Sequence, residues 1–174
     1  RAHPTATIFS APQRSDGSPR WKDCGNNQRA QCNDLWAGAH RVDAITQIIT
    51  TYAGNNVQGY SGDGGPAPSA SIQVPRGVVL DSFDNLFISD DLNYLIRKVN
   101  ASDEIISTIA GDLTNADGGS GTPSLETAIG SPLGIARDSG NSIYFADQLR
   151  HKIRKLPCYF IPIYHQQWHH RRSY

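Results

Sequence analysis

The chain contains a copy of itself. Residues 48–99 align with residues 105–156 without a gap, IITTYAG (Ile48 to Gly54) returning as IISTIAG (Ile105 to Gly111). Every matched residue lies 57 positions further on: Pro75 to Pro132, Asp81 to Asp138, Asp90 to Asp147, Arg97 to Arg154. A fixed period with no insertions means one supersecondary unit stacked on its own copy, so the architecture is an array. Such a repeat constrains the scaffold strongly and its ligand weakly.

Within a copy, side chains alternate with period two. Gly77 to Asp81 is a short apolar run opened by Pro75-Arg-Gly77 and closed by Asp81-Ser82. Leu86 to Asp90, Tyr94 to Val99 and Ile105 to Ala110 follow, separated by the polar turns Asp84-Asn85, Asp91-Leu92-Asn93 and Asn100 to Glu104. These read as four strands between turn signals. The connections are too short for parallel crossovers, so the strands form an antiparallel meander. The second copy gives strands at Gly134–Asp138, Ile143–Asp147 and Lys152–Leu156, and Pro157-Cys158 then replaces the expected turn. In each copy a long Gly- and Pro-rich loop, at 55–74 and 112–131, runs between a fourth strand and the next first strand. The 16 Gly and 10 Pro of the 174 residues suit short strands and many turns.

Tandem four-stranded meanders suggest propeller blades, which protect their edges by radial repetition. PRGVVLDSFDNLFISDDLNYLIRKV and SPLGIARDSGNSIYFADQLRHKIRKL resemble NHL repeats. The flanking ITTYAG…SGDGGPA resembles the long-loop version of that repeat found in bacterial, plant and protist proteins. The resemblance covers residues 48–156 and implies an all-β fold, a partial β-propeller of four-stranded antiparallel NHL-type blades. Propellers of this family commonly have about six blades. The expected organisation is a disordered segment at 1–17, a degenerate blade at 18–53, a blade with its long loop at 54–111, an incomplete blade at 112–156 and an unstructured tail at 157–174. The degenerate blade keeps its last strand, Ile48 to Ala53, and His40-Arg41-Val42 stands where Arg97-Lys98-Val99 stands one period later. The chain contains no methionine, so it is expected to be a processed product or a fragment.

The repeated charges come in pairs. Asp90 with Arg97, and Asp147 with Arg154, face each other across a hairpin and read as structural ion pairs, because a group that recurs in every blade serves the scaffold. The loop residue Asp63 and the turn residues Asn93 and Arg150 are the binding candidates, since loops on a rigid scaffold are free to encode a partner. Asp63-Gly64-Gly65 lacks the alternating acidic ladder of a calcium loop, and the second copy reads Ser120-Gly121-Thr122 there. No catalytic residue, metal ligand set or cofactor motif is assigned. His165, His169 and His170 lie in a tail without nearby acidic residues, and His151 reads as a positional turn residue. Cys24, Cys32 and Cys158 read as ordinary thiols, with a Cys24–Cys32 loop closure left open.

These features favour a non-catalytic scaffold that binds a protein or other macromolecule. The alternative is part of a propeller lyase or hydrolase whose catalytic residues lie outside this chain. Zero formal net charge argues against nucleic acid. No apolar run reaches the roughly 20 residues that span a bilayer. No signal peptide is legible, and the compartment is left open, a secreted location included. Exposed blade edges leave room for self-association.

Overall fold

A computed structural model of the chain describes residues 7–10, 38–42, 45–116 and 123–157. Three antiparallel sheets follow one another along the chain. The first has the order β1 (Thr7–Ser10), β2 (Ala39–Val42), β3 (Ile49–Ala53). The second is a four-stranded meander of β4 (Pro75–Leu80), β5 (Leu86–Asp90), β6 (Leu95–Val99) and β7 (Ile106–Ala110). The third repeats its first three strands as β8 (Pro132–Arg137), β9 (Ile143–Asp147) and β10 (Lys152–Leu156). The fold is all-β, as the period-two pattern requires.

Turn chemistry explains the polar residues between strands. Asp81 accepts hydrogen bonds from the backbone amides of Phe83 and Asn85 at 2.8 and 2.9 Å. Asp138 does the same for Gly140 and Ser142, both at 2.9 Å. Asp84 and Asn141, one period apart, both sit at φ 63°, the left-handed region that short polar side chains tolerate. The second-to-third-strand turns are short 3-10 turns, Asp91–Asn93 and Gln148–Arg150. Tyr94 and His151 close them at φ 58° and 52°. The third strand therefore begins at Leu95, one residue later than the apolar pattern suggests, because Tyr94 is needed to turn the chain.

Alternation on β5 divides the core in two. Leu86 and Ile88 pack toward the first sheet with Ala39, Tyr52, Ala53, Ile72, Val99 and Ile106. Phe87 points the other way, joining Ile96, Ala110, Ile129, Ile143, Phe145 and Leu156 against the third sheet. The second sheet is thus a layer between the first and the third, the packing expected of consecutive blades.

The Pro-x-Gly motif has a cause in this stacking. Gly77 N–H donates to Ser89 Oγ at 2.8 Å, and Ser89 Oγ donates to Leu133 O of the third sheet at 2.7 Å. A Cβ on Gly77 would lie 2.8 Å from Leu133 O, so no side chain fits there. Gly134, its copy, has nothing within 4 Å of the same position. The difference is the neighbouring sheet: among the described residues Gly77 has one on that side and Gly134 does not.

Two expectations need adjusting. Thr7–Ser10, within the segment expected to be disordered, forms β1 paired along β2. Thr7, Ile8 and Phe9 are β-favouring residues, and β2 offers an edge for them to complete. The first long loop has structure of its own, a 3-10 turn at Ala67–Ser69 and an antiparallel bridge from Pro66 to Ile105. Cys24, Cys32, Cys158, the tail histidines and most of the degenerate-blade segment 18–37 lie outside the described residues.

Candidate functional site

A meander alternates ends, so the second-to-third-strand turns and the long inter-blade loops emerge at the same end of the sheets. This end gathers residues 54–74, 91–93, 111–116, 123–131 and 148–150. It carries the three sequence-level binding candidates, and the sheets hold it through buried charge.

Asp90, at the end of β5, is fully buried. It accepts the Gln73 amide at 2.8 Å, the Asn93 side-chain amide at 2.8 Å and Arg97 Nη1 at 3.5 Å. Burial pushes its carboxyl up to about 6, against the lowering pull of Asn93, Gln73 and Arg97. Arg97, on β6, has no exposed side-chain surface. Its Nη2 donates to Asp63 Oδ1 at 2.6 Å and to Ser61 O at 3.1 Å, and its guanidinium lies 5.0 Å from the Tyr60 ring centre. Asp63 also accepts the Thr108 amide at 2.9 Å and the Tyr60 hydroxyl at 3.0 Å. Burial raises the Asp63 carboxyl, but hydrogen bonds from Thr108 and Tyr60 and the Arg97 charge outweigh it and hold it below the ordinary carboxylate range.

The structure therefore brings Asp63, Asn93, Asp90 and Arg97 into one cluster. Asn93 completes it by donating to Gly59 O at 2.8 Å. The loop is pinned further where Gly64 N–H donates to Ile106 O at 2.9 Å and Ile106 N–H to Gly65 O at 3.0 Å. The glycines at 62 and 64 adopt φ 87° and 79°, which lets the chain turn back along β7.

The second copy uses the same plan with one exchange. Asp147, buried, accepts the Gly130 amide at 3.0 Å and Arg154 Nε at 2.7 Å. Arg150 stands where Asn93 stood. It lies 3.5 Å from Asp147 and donates through Nη2 to the carbonyls of Asn115 and Ala116, the latter one period after Gly59. The clasp of loop to turn was not legible as such in the sequence. Its signal was there, in that Asn93 and Arg150 share a register position and both end in N–H donors.

The outer surface of this end is apolar in patches. Val57, Leu92, Leu113, Leu125 and Leu149 are all exposed, and Leu92 and Leu149 are register equivalents. Among the described residues, no cluster of three or more His, Cys, Asp or Glu could hold a metal, and no helix is long and apolar enough to cross a membrane.

No family model and no curated protein matches the chain. It is similar to a solved protein of unknown function from Bacteroides thetaiotaomicron VPI-5482, with 27% identity, 68% of this chain and 29% of that chain covered, and a TM-score of 0.60. It is similar to a putative phosphatase from the same organism, at 24% identity, 69% and 29% coverage and a TM-score of 0.50. It is also similar to an auxiliary nutrient binding protein of that organism, at 21% identity, 68% and 32% coverage and a TM-score of 0.53. The chain spans about a third or less of the length of these proteins. Fold and neighbours together define the class: a run of β-propeller-type blades.

Proposed function

We propose that this chain is a stretch of NHL-type propeller acting as a non-catalytic scaffold, and that its loop-bearing end binds a protein or other macromolecule. One observation carries the reading. The buried charges at that end, Asp90 with Arg97 and Asp147 with Arg154 and Arg150, are turned inward onto the loops and turns, while the apolar side chains of Val57, Leu92, Leu113, Leu125 and Leu149 are turned outward. Loops on a sheet scaffold with apolar side chains facing water fit recognition of another surface. The nutrient-binding description of one structural neighbour is in keeping with a binding role. On this reading Asp63, Asn93 and Arg150 act through the loops they shape.

The test places a photo-crosslinking residue at Leu92 or Leu149, and in a control at Phe83, which is exposed at the opposite end. Crosslinked product from 92 and 149 but not from 83, in extracts of the source organism, supports the reading. Equal labelling from both ends, or none from 92 and 149, overturns it.

A further inference from the structure

The two copies of the strand-end ion pair are not alike. In the third sheet Arg154 turns its Nε onto Asp147 at 2.7 Å. In the second sheet Arg97 reaches Asp90 only through Nη1, at 3.5 Å, and puts its short contact, 2.6 Å, on Asp63 of the loop. Arg97 Nε, the atom that serves the aspartate in the other copy, is buried without a hydrogen-bond partner. The guanidinium has been drawn off its own strand partner toward the loop.

We propose that Arg97 is a two-position latch: held by Asp63 it clamps loop 55–66 along β7, and drawn back onto Asp90 it lets that loop go. Both positions have partners in place. Asp90 keeps the Gln73 amide and the Asn93 side chain when Arg97 leaves it. Asp63, whose side chain is 33% exposed, has water to turn to when Arg97 leaves it. The groups facing the guanidinium are Asp90 from β5, Asp63 and the Tyr60 ring from the loop, and the carbonyls of Ser61 and Ser71. Asp91, next in sequence to Asp90, is engaged elsewhere, with Arg76 at 2.9 Å and with Ser131.

The protonation of Asp90 decides the competition. Burial favours its neutral form up to about pH 6, and a neutral Asp90 leaves Asp63 as the sole carboxylate for Arg97. Asp63 is held in its charged form to lower pH than an ordinary carboxyl. The latch is therefore tightest in the mildly acidic range between these two titrations. Above about pH 6 the ionised Asp90 competes, and loop opening rises by up to about tenfold per pH unit, the limit for a single coupled proton.

The test is amide exchange on the whole chain, with no partner present, corrected for the intrinsic pH dependence of exchange. The Thr108 amide donates to Asp63 and the Gly64 amide to Ile106 O, so both report loop clamping, while the Ile88 amide reports the sheet. Protection at Thr108 and Gly64, relative to Ile88, is expected to fall several-fold from pH 5 to pH 7.5. Asp90→Asn is expected to remove that fall and keep the loop protected, and Asp63→Asn to leave it unprotected at both values. A fall that persists in Asp90→Asn, or no fall in the unmodified chain, overturns the latch. Should Asp90→Asn not fold, the ¹⁵N shift of Arg97 Nε in the unmodified chain decides. Movement with a midpoint near pH 6 supports the latch, and a flat response overturns it.

Discussion

The same substitution made at two equivalent glycines should have opposite effects. Gly77 and Gly134 occupy one motif position, and neither has the positive φ that would itself penalise a side chain. A Cβ at Gly77 would meet Leu133 O at 2.8 Å, with Ile135 Cγ2 and Ser89 Oγ each at 3.2 Å. Two of these are held by structure: Leu133 O is backbone, and Ser89 Oγ is fixed by its bonds to Gly77 and Leu133. Relief requires the two sheets to move apart, and overpacking of this kind costs about 1–3 kcal/mol. A Cβ at Gly134 meets nothing within 4 Å. There the substitution acts mainly on the unfolded chain, removing freedom worth about 0.4–1 kcal/mol in favour of the folded state. Gly77→Ala and Gly134→Ala should therefore differ by about 1.5–4 kcal/mol. Urea titration followed by circular dichroism measures both. Equal losses from the two variants would refute the argument, because strand propensity alone treats the two positions alike.

Other outcomes follow from the turns and the buried charges. Asp90 holds a proton in the folded chain up to about pH 6 and loses it near 3.9 when unfolded, so its contribution is fully present below the unfolded value and is lost as pH rises through the folded one. The loss amounts to about 2 kcal/mol between pH 4 and 7, and a pH series of urea titrations should show Asp90→Asn flattening it. Asp81→Ala leaves the amides of Phe83 and Asn85 without their acceptor and should cost about 1–3 kcal/mol in the same titration. Asn93→Ala removes the tie to Gly59 O and should speed limited proteolysis within 55–66 while leaving cleavage at β4 to β7 unchanged.

The strands were legible because their signal is periodic and written twice. Each of the seven strands from β4 to β10 overlaps a short apolar or alternating stretch set off by turn residues, and the copy removes the ambiguity that one short stretch would leave. The loop clasp was not legible because it depends on direction. Asp90–Arg97 reads as a cross-strand pair from spacing alone, and nothing in that spacing says that Arg97 prefers a carboxylate 34 residues upstream. Nor does the tripeptide Asp63-Gly64-Gly65 show that it will lie against β7. That follows only once the left-handed glycines fold the loop back. Thr7–Ser10 was missed for another reason: its partner strand β2 begins 29 residues later, beyond the reach of any local pattern.

Because the chain carries two copies of one unit, it also carries its own controls. Where the copies agree, as at Asp81 and Asp138, the residue answers to the fold of a single blade. Where they agree in sequence but differ in surroundings, as at Gly77 and Gly134, the neighbour is the cause. The sheets make this visible at the far side of β10 as well. Ile96 is fully buried against the third sheet, whereas its copy Ile153 is 73% exposed. The same side chain, in the same register, on the same face, meets a sheet in one place and, among the described residues, no sheet in the other. Together with the empty space beside Gly134, this marks the outer face of the third sheet as shaped like an internal blade face. A serine at Ile153 should then be nearly neutral in this chain, while a serine at Ile96 should unfold the packing between the second and third sheets. If both substitutions cost the same, burial by the neighbouring sheet is not what sets the worth of this position.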